Sequence, residues 1–104
     1  MTNDKLNDLF TVYICGLATS PLAGKKGRWY KPDTGDWEPI PDFCNNLSAV
    51  VQWLDSLGCW TSTFHGDLHS VGLKHGDRIT AYGVDPSMAR AAMTAALKSK
   101  GVDV

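Results

Sequence analysis

Hydrophobic residues recur at helical spacing in two stretches of the first half of the chain. The first stretch predicts a helix from about Asn3 to Cys15, followed by Gly16 in the left-handed position that often ends a helix. The second helix is predicted to begin after Asn45 or Asn46, both good capping residues, and to end at Gly58. The predicted buried positions are Leu6, Leu9, Phe10, Tyr13 and Ile14 in the first helix and Leu47, Val50, Val51, Leu54 and Leu57 in the second.

A third helix is predicted near the end of the chain, with clear start and stop signals. We expect Asp85 to cap it and Pro86 to occupy its first turn, where a missing N–H does no harm. Gly101 is expected to end it, and residues 102–104 to form a frayed tail. Its predicted face is rich in alanine, which lets a helix approach a sheet closely: Ala89, Ala92, Met93, Ala96 and Leu97.

Between the second and third helices the hydrophobic period shortens to two residues, which is typical of β-strands. We predict strands at 59–64, 68–74 and 78–84, separated by two His-Gly-Asp triplets at 65–67 and 75–77. Glycine beside aspartate suits a hairpin turn, because glycine adopts positive φ at little cost. Connections this short join antiparallel neighbours, so the three strands are predicted to form a meander.

The most aromatic stretch is Gly27 to Asn46, GRWYKPDTGDWEPIPDFCNN. Within it, Arg28–Glu38 predicts a small hairpin with Trp29 and Tyr30 on one arm and Trp37 on the other. As large aromatic residues, these rings could cover the second helix as part of the core. Alternatively, some of them remain exposed, because a two-stranded hairpin cannot bury both of its faces. Trp, Tyr and Arg dominate binding hot spots. We therefore assign partner binding to Arg28, Trp29, Tyr30, Asp33 and Trp37.

Length and composition place the chain among ordinary globular domains. Its 104 residues predict one domain, residues 1–104. The 43% of hydrophobic residues are enough for a core, and the 20% of charged residues are ordinary for a globular protein. A net charge of −1 argues against general nucleic-acid binding. The polar N-terminus is unlike a signal peptide, and no apolar run approaches the ~20 residues of a membrane span. Three cysteines without CxxC spacing favour a reducing compartment, so we expect a cytoplasmic protein.

One group of side chains is a weak candidate for metal binding. His65, Asp67 and His69 are close in sequence, and Cys59 or His75 is a possible fourth ligand. Gly66 interrupts the alternation that would place them on one face, and the same triplet recurs at residues 75–77. We therefore interpret them as turn residues and expect no metal and no cofactor.

The cysteines are candidates for thiol chemistry. Cys44 precedes the second helix, where a helix N-terminus is expected to lower the pKa of its thiol. Free cysteine is commonly a small buried hydrophobe, however, and no catalytic signature surrounds any of the three. We expect no catalytic residue. The alternative is a metal- or thiol-dependent enzyme that uses His65, Asp67, His69 and Cys59.

Four segments follow one another along the chain: GRWYKPDTGDWEPIPDF, LSAVVQWLDSLG, CWTSTF and DPSMARAAMTAAL. This series resembles the small phage proteins of the Phage ABA sandwich domain family and the related NinX-type phage proteins. The resemblance covers nearly the whole chain and depends on spacing and aromatic landmarks. Leu17–Gly27 and the two His-Gly-Asp turns depart from the family pattern. The resemblance implies a bacteriophage or prophage origin and an α-β-α or α+β sandwich. It supplies no catalytic or binding residues.

These observations predict an α+β domain of the α/β sandwich type, with a three-stranded antiparallel meander packed with three helices. The expected function is that of a small bacteriophage accessory protein, a non-enzymatic binding module in the host cytoplasm. Its partner would be a host protein, such as a component of a host defence system that it inhibits, or a small signalling molecule that it sequesters as a sponge. A structural homo-oligomer formed through exposed edge strands is a further alternative.

Overall fold

The computed structural model describes residues 2–16, 28–31, 35–39 and 41–104, and for residues 28–31, 37 and 38 it describes the backbone alone. A 3₁₀ turn at Phe43–Asn45 precedes the second helix. The helices are α1 (Asn3–Tyr13), α2 (Leu47–Leu57) and α3 (Met88–Ser99), and the strands are β1 (Arg28–Lys31), β2 (Asp36–Pro39), β3 (Cys59–His65), β4 (Leu68–His75) and β5 (Arg78–Asp85). The fold class is α+β, in the predicted element order.

Strands β3, β4 and β5 form the predicted antiparallel meander. The β3–β4 register runs from Cys59↔Lys74 to His65↔Leu68, and an irregularity at Leu73/Lys74 interrupts the β4–β5 register. Each His-Gly-Asp triplet contributes its Gly-Asp pair as a two-residue turn. Gly66 and Gly76 have φ of 64° and 67°, and the aspartates after them keep negative φ, as in a type II′ hairpin. The prediction of turn residues is confirmed for the Gly-Asp pairs, whereas His65, His69 and His75 belong to the strands.

Helix α3 lies at the centre of the domain. It covers one face of the sheet, where Val71, Leu73 and Ala81 are buried. Its other side contacts α1, α2 and the 3₁₀ turn. Ala91 and Ala95 do not belong to the predicted alanine face, and they are buried where α3 approaches Gly83 of β5. Within the described residues the layers are therefore the sheet, then α3, then α1 and α2. The resemblance implies either an α-β-α or an α+β sandwich. The α-β-α order requires helices on both faces of the sheet, and the described layers do not have that arrangement.

The start of α3 differs from the prediction by two residues. Asp85 ends β5 by pairing with His69, and the N-cap is Ser87, whose Oγ accepts a hydrogen bond from the Arg90 N–H at 3.3 Å. Asp85 still contributes to the junction, because its carboxylate accepts hydrogen bonds from the Ser87 N–H at 2.9 Å and from Arg90 Nε at 3.2 Å. Strand pairing thus takes precedence over capping at this residue.

The end of the chain also differs from the prediction. The N–H of Val102 donates to the Leu97 carbonyl at 3.0 Å, and Val102 and Val104 pack against the core as half-buried side chains. The expected frayed tail was wrong, because these two apolar residues cover the exposed end of the core beside α3.

Helix α1 is joined to the 3₁₀ turn by polar and aromatic contacts. The Asn7 carboxamide accepts a hydrogen bond from the buried N–H of Cys44 at 3.2 Å and donates one to Asp42 at 3.2 Å. The rings of Phe10 and Phe43 are 4.8 Å apart. Asn7 was absent from the predicted face of α1, whereas the predicted Tyr13 is 52% exposed.

Candidate functional site

The predicted aromatic hairpin is present as a separate two-stranded sheet. Strands β1 and β2 pair antiparallel, with Trp29 opposite Glu38 and Tyr30 opposite Trp37. Gly35 has φ of 72° at the turn. Asp33 lies outside the described residues, as do the side chains of Arg28, Trp29, Tyr30 and Trp37. The backbone thus brings four of the five predicted binding residues onto one hairpin.

The hairpin is separate from the three-stranded sheet. In the part of the chain that the structure describes, the extensive packing of β1 and β2 is with each other, whereas α3 packs extensively with both the sheet and the other helices. An isolated two-stranded hairpin is marginally stable in water. A further surface that packs on the hairpin would therefore stabilise it.

The structure does not bring together the histidines of the candidate metal site. His69 is paired with Phe64, and His65 is paired with Leu68, so the two imidazoles project from opposite faces of the sheet. The rings of His69 and Phe64 pack against each other with centroids 4.6 Å apart. Asp67 lies in the β3–β4 turn, and Cys59 lies at the far end of β3, about 20 Å along the strand from His65. Among the described residues, no group of three or more His, Cys, Asp or Glu side chains is arranged to hold a metal ion.

The Cys44 thiol is buried rather than activated. Its Sγ lies 3.7 Å from the Asn3 carbonyl oxygen and 3.9 Å from Met93 Sδ. Burial raises the pKa of the Cys44 thiol, and this effect exceeds the opposing influence of the nearby Arg90 guanidinium. The expectation of a lowered pKa was wrong, because desolvation outweighs proximity to a helix N-terminus. Cys59, in contrast, is exposed.

The sheet surface opposite α3 carries apolar side chains that no described element covers. We call this surface the open face. Side chains there alternate with those that α3 covers, and its centre is the row Thr61–Gly72–Tyr82. A Cβ on Gly72 would lie 3.3 Å from Ile79 Cγ2, which places the Ile79 side chain across that glycine. The large apolar residues of the open face and their exposures are Leu68 (45%), Ile79 (56%), Tyr82 (59%) and Val84 (48%).

A shallow cleft borders the open face along β5. It has a volume of about 300 Å³. Lys98 Nζ lies 6.0 Å from the centre of the Tyr82 ring, at the distance of a cation–π contact. Arg90 lies on the other side and is held by Asp85 and Asn3. The residues that line the cleft are Leu6, Tyr82, Val84, Arg90, Thr94, Lys98 and Val104.

Sequence reasoning missed the open face. Its apolar residues form one phase of the strand alternation, and that alternation alone does not show which face α3 covers. Gly83, between Tyr82 and Val84, is a signal that a helix approaches closely on its side, but Gly72 lies in the opposite phase, so the two glycines together do not identify the covered face.

Comparisons of this chain with protein-family models, with curated proteins and with solved structures gave no match. The α+β class therefore follows from the structure alone. None of the described helices is long and apolar enough to cross a membrane.

Proposed function

We propose that this chain is a non-enzymatic binding module whose contact surface is the aromatic hairpin of β1 and β2. The observation that carries the proposal is the separation of this hairpin from the three-stranded sheet. Its sequence supplies two indoles, a phenol and a guanidinium within ten residues. These are the side-chain types that contribute most to protein–protein affinity.

The described core is drawn from α1, the 3₁₀ turn, α2, the sheet and α3. We propose that the hairpin side chains lie outside this core and can therefore vary in sequence without cost to it. Binding at such a segment and stability in the core are then separate properties of one small domain.

The placement of the chemically reactive side chains favours binding over catalysis. His65 and His69 project from opposite faces, Cys59 is remote from both, and burial keeps the Cys44 thiol protonated at neutral pH. An enzyme built from these residues would need a nucleophile or metal ligands within hydrogen-bonding or coordination distance of each other. The described geometry does not supply that arrangement.

The proposed partner is a host component, and the proposed setting is the cytoplasm of a phage-infected cell. This part of the proposal depends on the sequence resemblance to small phage proteins. Within it, we favour a host protein, including a component of a defence system, over a small signalling molecule. A two-stranded hairpin rich in aromatic residues offers area for a protein surface, whereas a small ligand requires a concave site that buries most of its surface.

Capture from an infected host tests the proposal. The tagged wild-type chain, the double variant Trp29→Ala/Trp37→Ala and the control Phe64→Ala are each used as bait. Phe64 is 64% exposed and lies on the three-stranded sheet, so it is a matched aromatic outside the hairpin. Mass spectrometry identifies both proteins and small molecules, and each protein candidate is then titrated in purified form.

The expected result is a protein that binds the wild type and Phe64→Ala but not the hairpin variant, while all three baits unfold at similar temperatures. A partner that binds the hairpin variant as tightly as the wild type contradicts the proposal. Unfolding of the hairpin variant also contradicts it, because the rings would then belong to the core. Capture of a small molecule by the wild type alone would favour the sponge over the protein inhibitor.

A further inference from the structure

We infer that the open face is the contact between two copies of this chain, which stack sheet on sheet with their strands running in opposite directions. This inference goes beyond the proposed function, because it concerns β3–β5 and does not involve the hairpin. It also differs from pairing through edge strands, since the contact is made by side chains of the face and not by backbone hydrogen bonds.

The open face has the composition of an interface core. Among the described residues of β3–β5, it carries an aromatic ring and three aliphatic side chains, with Cys59, His65 and Lys74 toward its ends, and no carboxylate projects from it. Depletion of charge and enrichment of aromatic residues distinguish the centres of interfaces from the rest of a protein surface. The residues between the large side chains are small, namely Thr61, Thr63, Ser70 and Gly72, so two such faces approach closely.

The charges at the two ends of the sheet favour a second copy as the occupant. At one end Lys74 projects from the open face and the β4–β5 turn carries Asp77, whereas the β3–β4 turn at the other end carries Asp67. When two copies stack with their strands antiparallel, Lys74 lies over the partner's Asp67. The two-fold axis repeats this pairing, so the surface is complementary to itself. Stacking with parallel strands would instead bring the two Lys74 ends together and the two Asp67 ends together.

The size of the open face limits the strength of the contact. Three adjacent strands of seven or eight residues make a face of roughly 25 by 14 Å, or roughly 350 Å². This area is smaller than the ~800 Å² that each partner buries in a standard interface. We therefore expect a weak dimer, with a dissociation constant in the micromolar range or above, that forms as concentration rises.

Sedimentation velocity over about 1 μM to about 1 mM tests the stacking. The wild type is expected to shift from the monomer mass to twice that mass. Tyr82→Lys places a cation in the middle row of the face, on the edge strand β5, and is expected to remain monomeric over the whole range. The control Phe64→Lys places the same charge at an equally exposed aromatic position that does not lie on the open face, and it is expected to dimerise like the wild type.

A charge exchange tests the antiparallel arrangement. Lys74→Glu and Asp67→Lys are each expected to raise the dissociation constant by roughly threefold or more, because each creates two like-charge contacts. The double variant restores the opposite pairing and is expected to return to the wild-type value. Circular dichroism confirms that each variant is folded before it is compared.

Three outcomes would overturn the inference. A wild type that is monomeric at every concentration shows that the face has another occupant or none. A dimer that survives Tyr82→Lys shows that the contact lies elsewhere, as in edge pairing. If Tyr82→Lys abolishes the dimer but the double charge variant does not recover the wild-type dissociation constant, the strands are not antiparallel across the contact.

Discussion

Gly83 on β5 lies directly beneath Ala91 of α3. A Cβ added at Gly83 would clash with the Ala91 carbonyl oxygen and would lie 2.8 Å from the Ala95 nitrogen, so the contact is between the glycine and the backbone of the helix. The close approach explains why α3 meets β5 through its backbone and small side chains. It also determines which face of the sheet is covered and which remains open.

This contact predicts a large difference between two glycine substitutions. Gly83→Ala is expected to lower the free energy of unfolding by about 2–3 kcal/mol, because the helix backbone must move away from the sheet. Gly72→Ala is the matched control on β4, where the new methyl group meets the Ile79 side chain at 3.3 Å. We expect a cost below about 1 kcal/mol there, since a flexible side chain gives way more easily than backbone. Urea denaturation measures both, and equal costs would contradict the account of α3 packing.

The Asn7 carboxamide predicts a second difference in stability. Asn7→Ala leaves the buried N–H of Cys44 without its acceptor, and we expect a loss of about 1–3 kcal/mol. Asn45→Ala removes only an exposed hydrogen bond to Asp42, and we expect a loss below about 1 kcal/mol. Thermal denaturation of both variants provides the comparison. A fully stable Asn7→Ala protein would show that α1 is not held to the 3₁₀ turn through this side chain.

The stability of the domain is expected to fall in acid through Asp42. Asn45 and Asn7 each donate a hydrogen bond to the Asp42 carboxyl, and these bonds hold its pKa below the ordinary value, with the larger effect from Asn45. Because the folded pKa is lowered, this stabilisation is complete above the pKa of the unfolded chain, near 4, and is lost as pH falls through the folded pKa. Asp42→Asn should therefore reduce the loss of stability between neutral and acid pH. Unfolding midpoints across that range measure the effect, and an unchanged pH profile would refute it.

The cysteines are expected to react with iodoacetamide at different rates. Cys59 is exposed and should be modified first, whereas burial and a raised pKa protect the Cys44 thiol. Peptide mapping after timed alkylation measures the order. Cys44 should be modified rapidly only in denaturant, and its rapid modification in the native protein would contradict the described burial.

The element order and the strand pairing were predictable because they depend on local patterns. The two Gly-Asp turns, the three helical stripes and the shift to a period of two each show in a short window of sequence. The start of α3 was not predictable in the same way. Asp85 is a good capping residue, but its pairing with His69 is a tertiary contact, and the next suitable oxygen, on Ser87, becomes the cap.

The site residues were predictable only in part. The hairpin followed from its turn chemistry, and the two sides of the sheet followed from strand alternation. Which side α3 would cover depends on Gly83 and on the packing of α1 and α2 behind the helix, which are not local properties of the strands. Asn7 shows the same limit, since its burial arises from contact with the 3₁₀ turn some 35 residues later in the chain.

The accessibility of the hairpin indoles to a quencher tests the central claim most directly. The chain has four tryptophans, so Trp53→Phe/Trp60→Phe retains only the hairpin pair, and Trp29→Phe/Trp37→Phe retains only the half-buried pair on α2 and β3. If the hairpin presents its rings to a partner, acrylamide should quench the first variant nearly as strongly as a free tryptophan peptide and more strongly than the second. Equal or weaker quenching of the hairpin pair would mean that those rings are enclosed within the fold, and the proposed binding surface would not exist.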